Sequence, residues 1–321
     1  MGRMYASGCA EMEKAEFIWM NGELVAWDEA NVHVLSHGLH YGTGVFEGIR
    51  AYNTELGTAV FRHQAHLERL ARSADYYALE LPFDLDALRD ATHELIRSNA
   101  LESCYIRPLA FRGYGEMGLQ ARAAPVEVII AAWPWGTYLG EEGKQKGIHA
   151  TVANWRRHSP TSVETRAKAS GHYLNSILAK QETASSGHDE AIMLDQRGMV
   201  SEGSGENIFI VQDGSLATPG LDSSILEGIT RASVIQIAGD LGYAVAERDV
   251  APEELFAADE VFLTGTAAEL VPVRQIDDHA YGPPGPITAQ LLEKFEDALH
   301  GRAKEYVEWL DVVEQPSKVT S

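Results

Sequence analysis

The stretch "TRAKASGHYLNS", residues 165–176, sets Lys168 among small residues in a chain whose positive charge is carried mainly by arginine. Such a lysine is either a solvated surface residue or an amine with a chemical task. For the second role it must face a carbonyl carbon and be partly unprotonated, which burial and nearby positive charge favour. Small neighbours would leave room for a planar group. "MVSEGSGENIFIV" (199–211) places Glu202 in a Gly/Ser-rich turn before a strand. A carboxylate there can be aimed into a cleft at a protonated ring nitrogen, and a solvated loop glutamate is the plain alternative. "LEGITRASVIQIA" (226–238) opens an apolar-periodic helix at Gly228, with Thr230 in its first turn. Free N–H groups and the dipole at such a start suit an anion, though an ordinary helix start has the same pattern. "LTGTAAELVPV" (263–273) adds a small-residue turn in which Thr266 can donate a hydroxyl.

Other chemistries find less support. His33, His37 and His40 have helical spacing in "HVLSHGLHYGTGVFEGIR", but no carboxylate accompanies them in an HExxH-like arrangement, and Ser36-His37 reads as a helix start. No metal is expected. Gly42, Gly44 and Gly48 do not form a dinucleotide fingerprint, and neither a Walker sequence nor a GxSxG elbow occurs.

The elements that must position these residues need more than one small core. The chain has 321 residues, enough for two domains of ordinary size. The formal net charge of −21 disfavours binding to nucleic acid or anionic membranes, and fits either ordinary solubility or salty surroundings. No apolar run is long enough to span a bilayer, and the first residues lack the apolar core of a secretory signal. Cys9 and Cys104 form no framework, so a cytoplasmic setting is expected.

"FIWMNGELVAW" reads as a hairpin about Asn21-Gly22. "GVFEGIRAYN" and "TAVFRH" read as a second strand pair turning near Gly57. Helices follow, one with Leu67, Leu70, Ala71 and Ala74 on a face, another over 84–99 with Leu85, Leu88, Leu95 and Ile96 inward. Strands are expected at 104–113 and 126–133. The glycine-rich, charged segment 134–147 lacks periodicity, and the linker is placed at 138–147. The expected organisation is a tail (1–15), a small α+β domain (16–137), this linker, and a larger domain (148–321). The latter has strands near 148–154, 190–195, 206–211 and 260–264, and helices over 172–186, 228–241 and 286–300.

Taken together, "HYGTGVFEGIR", "HLERL", "YIRPLAFRG", "AAWPWGTYLG", "AKASGHYLNS", "SEGSGENIF", "LEGITR" and "GTAAELVPV" resemble the class IV pyridoxal-phosphate transaminases. The similarity is greatest to the bacterial branched-chain amino acid aminotransferases, and runs from about Phe17 to about Leu310. It implies fold type IV: a small N-terminal α+β domain, a larger C-terminal pseudo-barrel domain, and pyridoxal 5′-phosphate between them. It also implies at least a homodimer, with a trimer of dimers as the larger assembly, each site being completed by a neighbouring subunit.

The resemblance gives Lys168 the covalent bond to the cofactor and the proton transfer at substrate Cα. Glu202 would pair with the ring nitrogen, and Tyr173 would hydrogen-bond the ring hydroxyl oxygen. Arg69 would grip the phosphate with Ile229, Thr230, Gly265 and Thr266, and Leu226 would pack on the ring. One pocket would take both a branched aliphatic side chain and the γ-carboxylate of glutamate. Tyr41, Phe46, Trp135 and Tyr138 would supply its wall, and Tyr105 and Arg107 would bind the carboxylate. Gly48, Gly205 and Ala267 would line it closely, while Met117 and Leu119 would reach the partner's pocket. Ser170 and His172 depart from the smaller or amide residues expected beside the lysine. Glu227 stands where proline is familiar, and should point away from the anion site. The activity implied is transfer of the amino group of L-leucine, L-isoleucine or L-valine to 2-oxoglutarate. Its rivals are D-amino acid and (R)-amine transaminases, aminodeoxychorismate lyase, and a non-catalytic ligand-binding protein.

Overall fold

The computed structural model describes residues 13–135, 143 and 145–314. The expected tail as far as residue 12, most of the expected linker, Tyr138 and residues 315–321 lie outside the described residues.

Asn21 and Gly22, with φ of 52° and 105°, turn β1 (Phe17–Met20) into β2 (Glu23–Ala26). Positive φ at both central residues matches the twist of the paired strands. "GVFEGIRAYN" forms two strands rather than one. β3 (Gly44–Phe46) and β4 (Ile49–Thr54) both pair with β6 (Cys104–Arg112), and the chain steps over Glu47 and Gly48 between them. With β5 (Gly57–Phe61) and β7 (Val126–Trp133) these build an antiparallel sheet. Its order is β17-β5-β4-β6-β7-β1-β2, with β3 beside β6. α1 (His37–Tyr41), α2 (His63–Tyr76) and α3 (Leu85–Ser98) belong to this half. Asp84 caps α3 through the Ala87 N–H at 2.8 Å. Leu67, Leu70, Leu88, Leu95 and Ile96 fill the core against the sheet.

β17 (Leu310–Val312) comes from the far end of the chain and pairs with β5. The expected boundary at 148 therefore does not divide the chain cleanly. Asp311 holds the strand down: its carboxylate takes His63 Nδ1 at 2.8 Å, His93 Nε2 at 3.1 Å and Arg89 Nη2 at 2.6 Å.

The second sheet is mixed. Its order is β10-β9-β8-β15-β14-β11-β12-β13, with β16 (His279–Ala280) beside β15. The strands are β8 (Ile148–Arg156), β9 (Glu190–Leu194), β10 (Val200–Gly203) and β11 (Asn207–Gln212). They continue with β12 (Ser215–Thr218), β13 (Val245–Glu247), β14 (Glu260–Gly265) and β15 (Glu269–Ile276). β8 and β9 are parallel, joined through α4 (Tyr173–Ser186). Lys168 lies in that crossover, one turn before α4. α5 (Ile229–Asp240), α6 (Pro252–Ala257) and α7 (Pro286–Leu299) complete this half.

The two sheets share a core. Tyr52, Ala59 and Phe61 of the first pack with Phe209 and Phe262 of the second and with Val234, Ile237, Leu291 and Phe295 of α5 and α7. The fold is α+β, with the chemistry-bearing residues brought to the junction of the sheets.

Candidate active site

The Lys168 loop is held by its backbone. Lys168 N–H donates to Ser73 Oγ of α2 at 3.0 Å, and Lys168 O accepts from Phe46 N at 3.0 Å. Ala167 and Ala169 are buried in the core of the first sheet. The small residues around the lysine thus dock the loop between α2 and β3; Ala167 also lines the cavity. Lys168 Nζ donates to Tyr173 Oη at 2.7 Å. Beyond it, the Phe46 ring lies 5.2 Å from Nζ and 4.8 Å from the Tyr173 ring.

Glu202 is buried across the same cavity. Its Oε1 meets Arg157 Nη2 at 2.7 Å, and its Oε2 accepts from Asn207 Nδ2 at 3.1 Å and Leu226 N at 3.0 Å. Burial pushes this carboxyl up, while Arg157, the Leu226 N–H and Lys168 pull it back. Glu206, also buried in the lining, is pushed up to about 8 by burial and by Glu190.

Arg69 comes from the buried face of α2. Its Nε and Nη2 bind Glu47 at 2.7 and 2.9 Å, and its Nη1 donates to Glu227 O at 2.8 Å. Two of the five N–H groups of a guanidinium therefore stay available. Burial alone would raise the Glu47 carboxyl, but Arg69 and His66 overcome it and hold the group well below the usual carboxylate range. Burial drives His66 down to about 4, so at neutral pH its Nδ1–H donates to Glu47 at 2.7 Å. His66 binds protons more readily unfolded than folded, so stability should fall as pH drops from about 6.5 to about 4. Thermal melts across that range should show the decline, and His66→Asn should make it shallower; an unchanged slope would remove His66 as a cause.

The start of α5 faces the cavity. Gly228, Ile229 and Thr230 line it, and no side chain caps the helix. A Cβ at Gly228 would stand 1.9 Å from Asn207 Oδ1, so glycine is required for Asn207 to reach Glu202. Gly265 and Thr266 line the opposite rim, and Gly205 and Leu226 also contribute. Glu227 is half exposed, 3.9 Å from Arg72, and so points away as expected. A guanidinium with free donors, an uncapped helix start, a buried carboxylate and a lysine thus share one cleft. That donor set fits pyridoxal phosphate.

Beside Phe46 stands Arg107, its Cζ 4.6 Å from the ring centroid, with Nη2 donating to Tyr105 Oη at 3.0 Å. Arg107 Nε is buried and unpartnered. The Tyr105, Trp133 and Trp135 rings cluster with centroids 5.0–6.0 Å apart. A Cβ at Gly48 would stand 2.1 Å from Tyr105 Oη, which explains that glycine. The remaining expected residues do not line this chain's own cavity, and Met117 and Leu119 were expected at the partner's pocket rather than here. Tyr41 is half exposed at the end of α1, its ring tilted against His37 with centroids 4.4 Å apart. Met117 and Leu119 are exposed, and Ala267 is next to the lining rather than in it. His37 is tied to Thr43 Oγ1 and Gly118 O, and His40 to Val34 O.

Arg157, Asn207, Glu47, Ser73 and Glu206 were not singled out in the sequence. Glu47, Glu206 and Asn207 lie inside the motifs "FEGIR" and "GENIF"; the partners of Glu47, His66 and Arg69, lie on α2, whereas Asn207 bonds Glu202 only five residues away. His172 lines the cavity, bonds Tyr77 Oη at 2.9 Å through Nε2, and is pushed down to about 4 by burial and by His158.

Residues 44–276 match the family model described as amino-transferase class IV. Branched-chain-amino-acid aminotransferase of Pseudomonas aeruginosa is 47% identical over 92% of this chain and 97% of its own. That of Escherichia coli is 47% identical over 94% and 99%. The crystal structure of the E. coli enzyme superposes with a TM-score of 0.92 at 47% identity, covering 94% of this chain and 100% of its own. The branched-chain amino acid aminotransferase from Thermobaculum terrenum, in its PLP-bound holo form, superposes at 0.89 with 36% identity and the same coverage. With a lysine, a buried carboxylate and a helix start converging on one cleft, and more than half its length matched by the family model, this chain belongs to the class IV aminotransferases.

Proposed function

We propose that the protein is a branched-chain amino acid aminotransferase. It moves the amino group of L-leucine, L-isoleucine or L-valine to 2-oxoglutarate with pyridoxal 5′-phosphate. The observation that carries this reading is the one cleft lined together by the Lys168–Tyr173 pair, the Glu202–Arg157 pair, Arg69 and the start of α5. When bound, pyridoxal phosphate supplies the carbonyl carbon that takes the amine and the ring that withdraws electrons.

The chain's own residues do the rest. Lys168 Nζ would bond the cofactor and, once freed by the substrate's amine, would move the proton at substrate Cα, with Tyr173 Oη fixing its position. Glu202 would pair with the ring nitrogen, and its contacts with Arg157, Asn207 and Leu226 hold its carboxylate in place. Arg69, the N–H groups of Ile229 and Thr230, and the hydroxyl of Thr266 would hold the phosphate. Leu226 and Gly205, both in the lining, would pack against the ring. In the substrate pocket, Phe46, Gly48, Tyr105 and Trp135 would form the wall, and Arg107 would bind the γ-carboxylate of glutamate. Thr266 in the lining, with Ala267 beside it, would meet the substrate's own carboxylate end.

The minimal unit is a homodimer. Val34, Leu35, Leu39, Tyr41, Met117 and Leu119 expose large apolar side chains at and beside α1, a surface suited to a second copy. Among the described residues no helix is long and apolar enough to cross a membrane.

A donor panel with 2-oxoglutarate tests the substrate reading: branched-chain L-amino acids should lead, and preference for D-amino acids or (R)-amines would overturn it. Arg107→Leu should shift single-turnover selectivity from glutamate toward leucine by about tenfold, or ~1.4 kcal/mol. The dicarboxylate loses a charge-assisted contact, whereas leucine gains apolar wall. Equal losses for both donors would make Arg107 a structural support.

A further inference from the structure

Glu269 occupies a position where glycine is usual. It closes the β14–β15 hairpin opposite Gly265, and its φ is +62°. Left-handed backbone after a short hairpin loop favours glycine, since a Cβ is strained there. The loop it closes, residues 266–268, carries Thr266 into the cavity lining.

The side chain accounts for the exception. Glu269 Oε1 accepts from Arg50 Nη1 at 2.6 Å and from Tyr52 Oη at 3.0 Å. Both donors belong to β4, on the first sheet, whereas Glu269 belongs to the second. The ion pair is nearly enclosed, with side chains 11% and 9% exposed. Arg50 also lies over the Tyr52 ring at 4.8 Å. Burial and then Glu269 push the Tyr52 phenol well above its usual range, which keeps it a donor. Arg50 is the direct cross-strand neighbour of Tyr105, and β4 begins just after Gly48. The clamp therefore ties the hairpin tip to β4, which begins just after Gly48 and lies beside Tyr105 of β6.

We propose that Glu269, gripped by Arg50 and Tyr52, is a positioning residue. It sets the distance between the 266–268 tip and the Gly48–Tyr105 wall, and so the grip on the carboxylate end of amino and 2-oxo acids. This rests on the reading of Thr266 and Ala267 as substrate contacts. The strain at φ +62° is tolerated because the carboxylate crosses between sheets.

Glu269→Gly separates the two roles, since it relaxes the backbone but removes the anchor. Because it leaves Arg50 buried without its partner, an Arg50→Met/Glu269→Gly double variant is the decisive protein: both charges go and the strain is relieved. The double variant should retain its cofactor absorbance and lose only about a few degrees of melting temperature, the cost of leaving the Tyr52 hydroxyl without its acceptor. Its KM for amino donor and 2-oxo acid should rise about tenfold, with kcat within about threefold. Glu269→Gln, which keeps a hydrogen-bonding side chain, should fall between it and wild type. Unchanged KM in the double variant would overturn the proposal, and so would a joint collapse of kcat and cofactor binding. The wild-type donor panel is run first. If leucine is not the donor, the substrate reading fails, and the clamp is then tested on KM for whichever amino acid the wild type accepts.

Discussion

Lys168→Ala should lose multiple-turnover transamination by at least about 10³-fold while remaining folded. The loss is large because one amine has two tasks, bonding the cofactor and moving the proton at substrate Cα. Folding survives because the loop is held by Lys168 N–H and C=O, which alanine keeps, and by buried Ala167 and Ala169. The side chain's hydrogen bond to Tyr173 is what disappears. Steady-state rates with leucine and 2-oxoglutarate, beside a thermal melt, check both halves. Arginine should not rescue, because a guanidinium stays protonated. A variant with more than a trace of turnover would remove Lys168 from the chemistry.

The second large effect concerns Glu202. Glu202→Gln replaces a carboxylate that can stabilise a protonated ring nitrogen with an amide that cannot. Losing a charge-assisted hydrogen bond costs about 1.5–3 kcal/mol, so half-reaction rates should fall between about tenfold and about a hundredfold. Stability should fall as well, since Arg157 is buried and loses its partner at 2.7 Å. Breaking a buried pair from one side costs about 3–5 kcal/mol. Adding Arg157→Met should restore much of the melting temperature but none of the rate. Stopped-flow half-reactions and melts of both variants separate the effects. Near-normal rates in Glu202→Gln would reject the role.

Local signals made much of the fold legible. Asn21-Gly22 specified a hairpin, Asp84 a helix start, and the apolar spacing of Leu88, Leu95 and Ile96 the inward face of α3. Short strands escaped. β10, β12 and β13 are three or four residues long, too short for alternation to register. β15 contains Pro272, which argues against a central strand. It is tolerated because pairing with β8 begins only at Val273. β17 pairs Leu310 with Phe61, a contact that no local pattern encodes.

The site divides in the same way. Lys168, Tyr173, Glu202, Arg69 and Thr230 sit in distinctive local contexts, and the fold brings them to one cleft. Their supports are long-range. Arg157 reaches Glu202 from the end of β8, and Glu47 reaches Arg69 from the step between β3 and β4. The alanines beside Lys168 suggested space for a planar group, whereas they are buried in the core of the first sheet. A tightly packed loop and an open one have the same composition there.

The central claim is that Lys168 is the residue joined to the cofactor. Borohydride reduction of the yellow holoenzyme, followed by peptide mass analysis, tests it most directly. The account predicts one pyridoxyl group per chain, on the peptide containing Lys168. A pyridoxyl group on another lysine, or none on any, would contradict it.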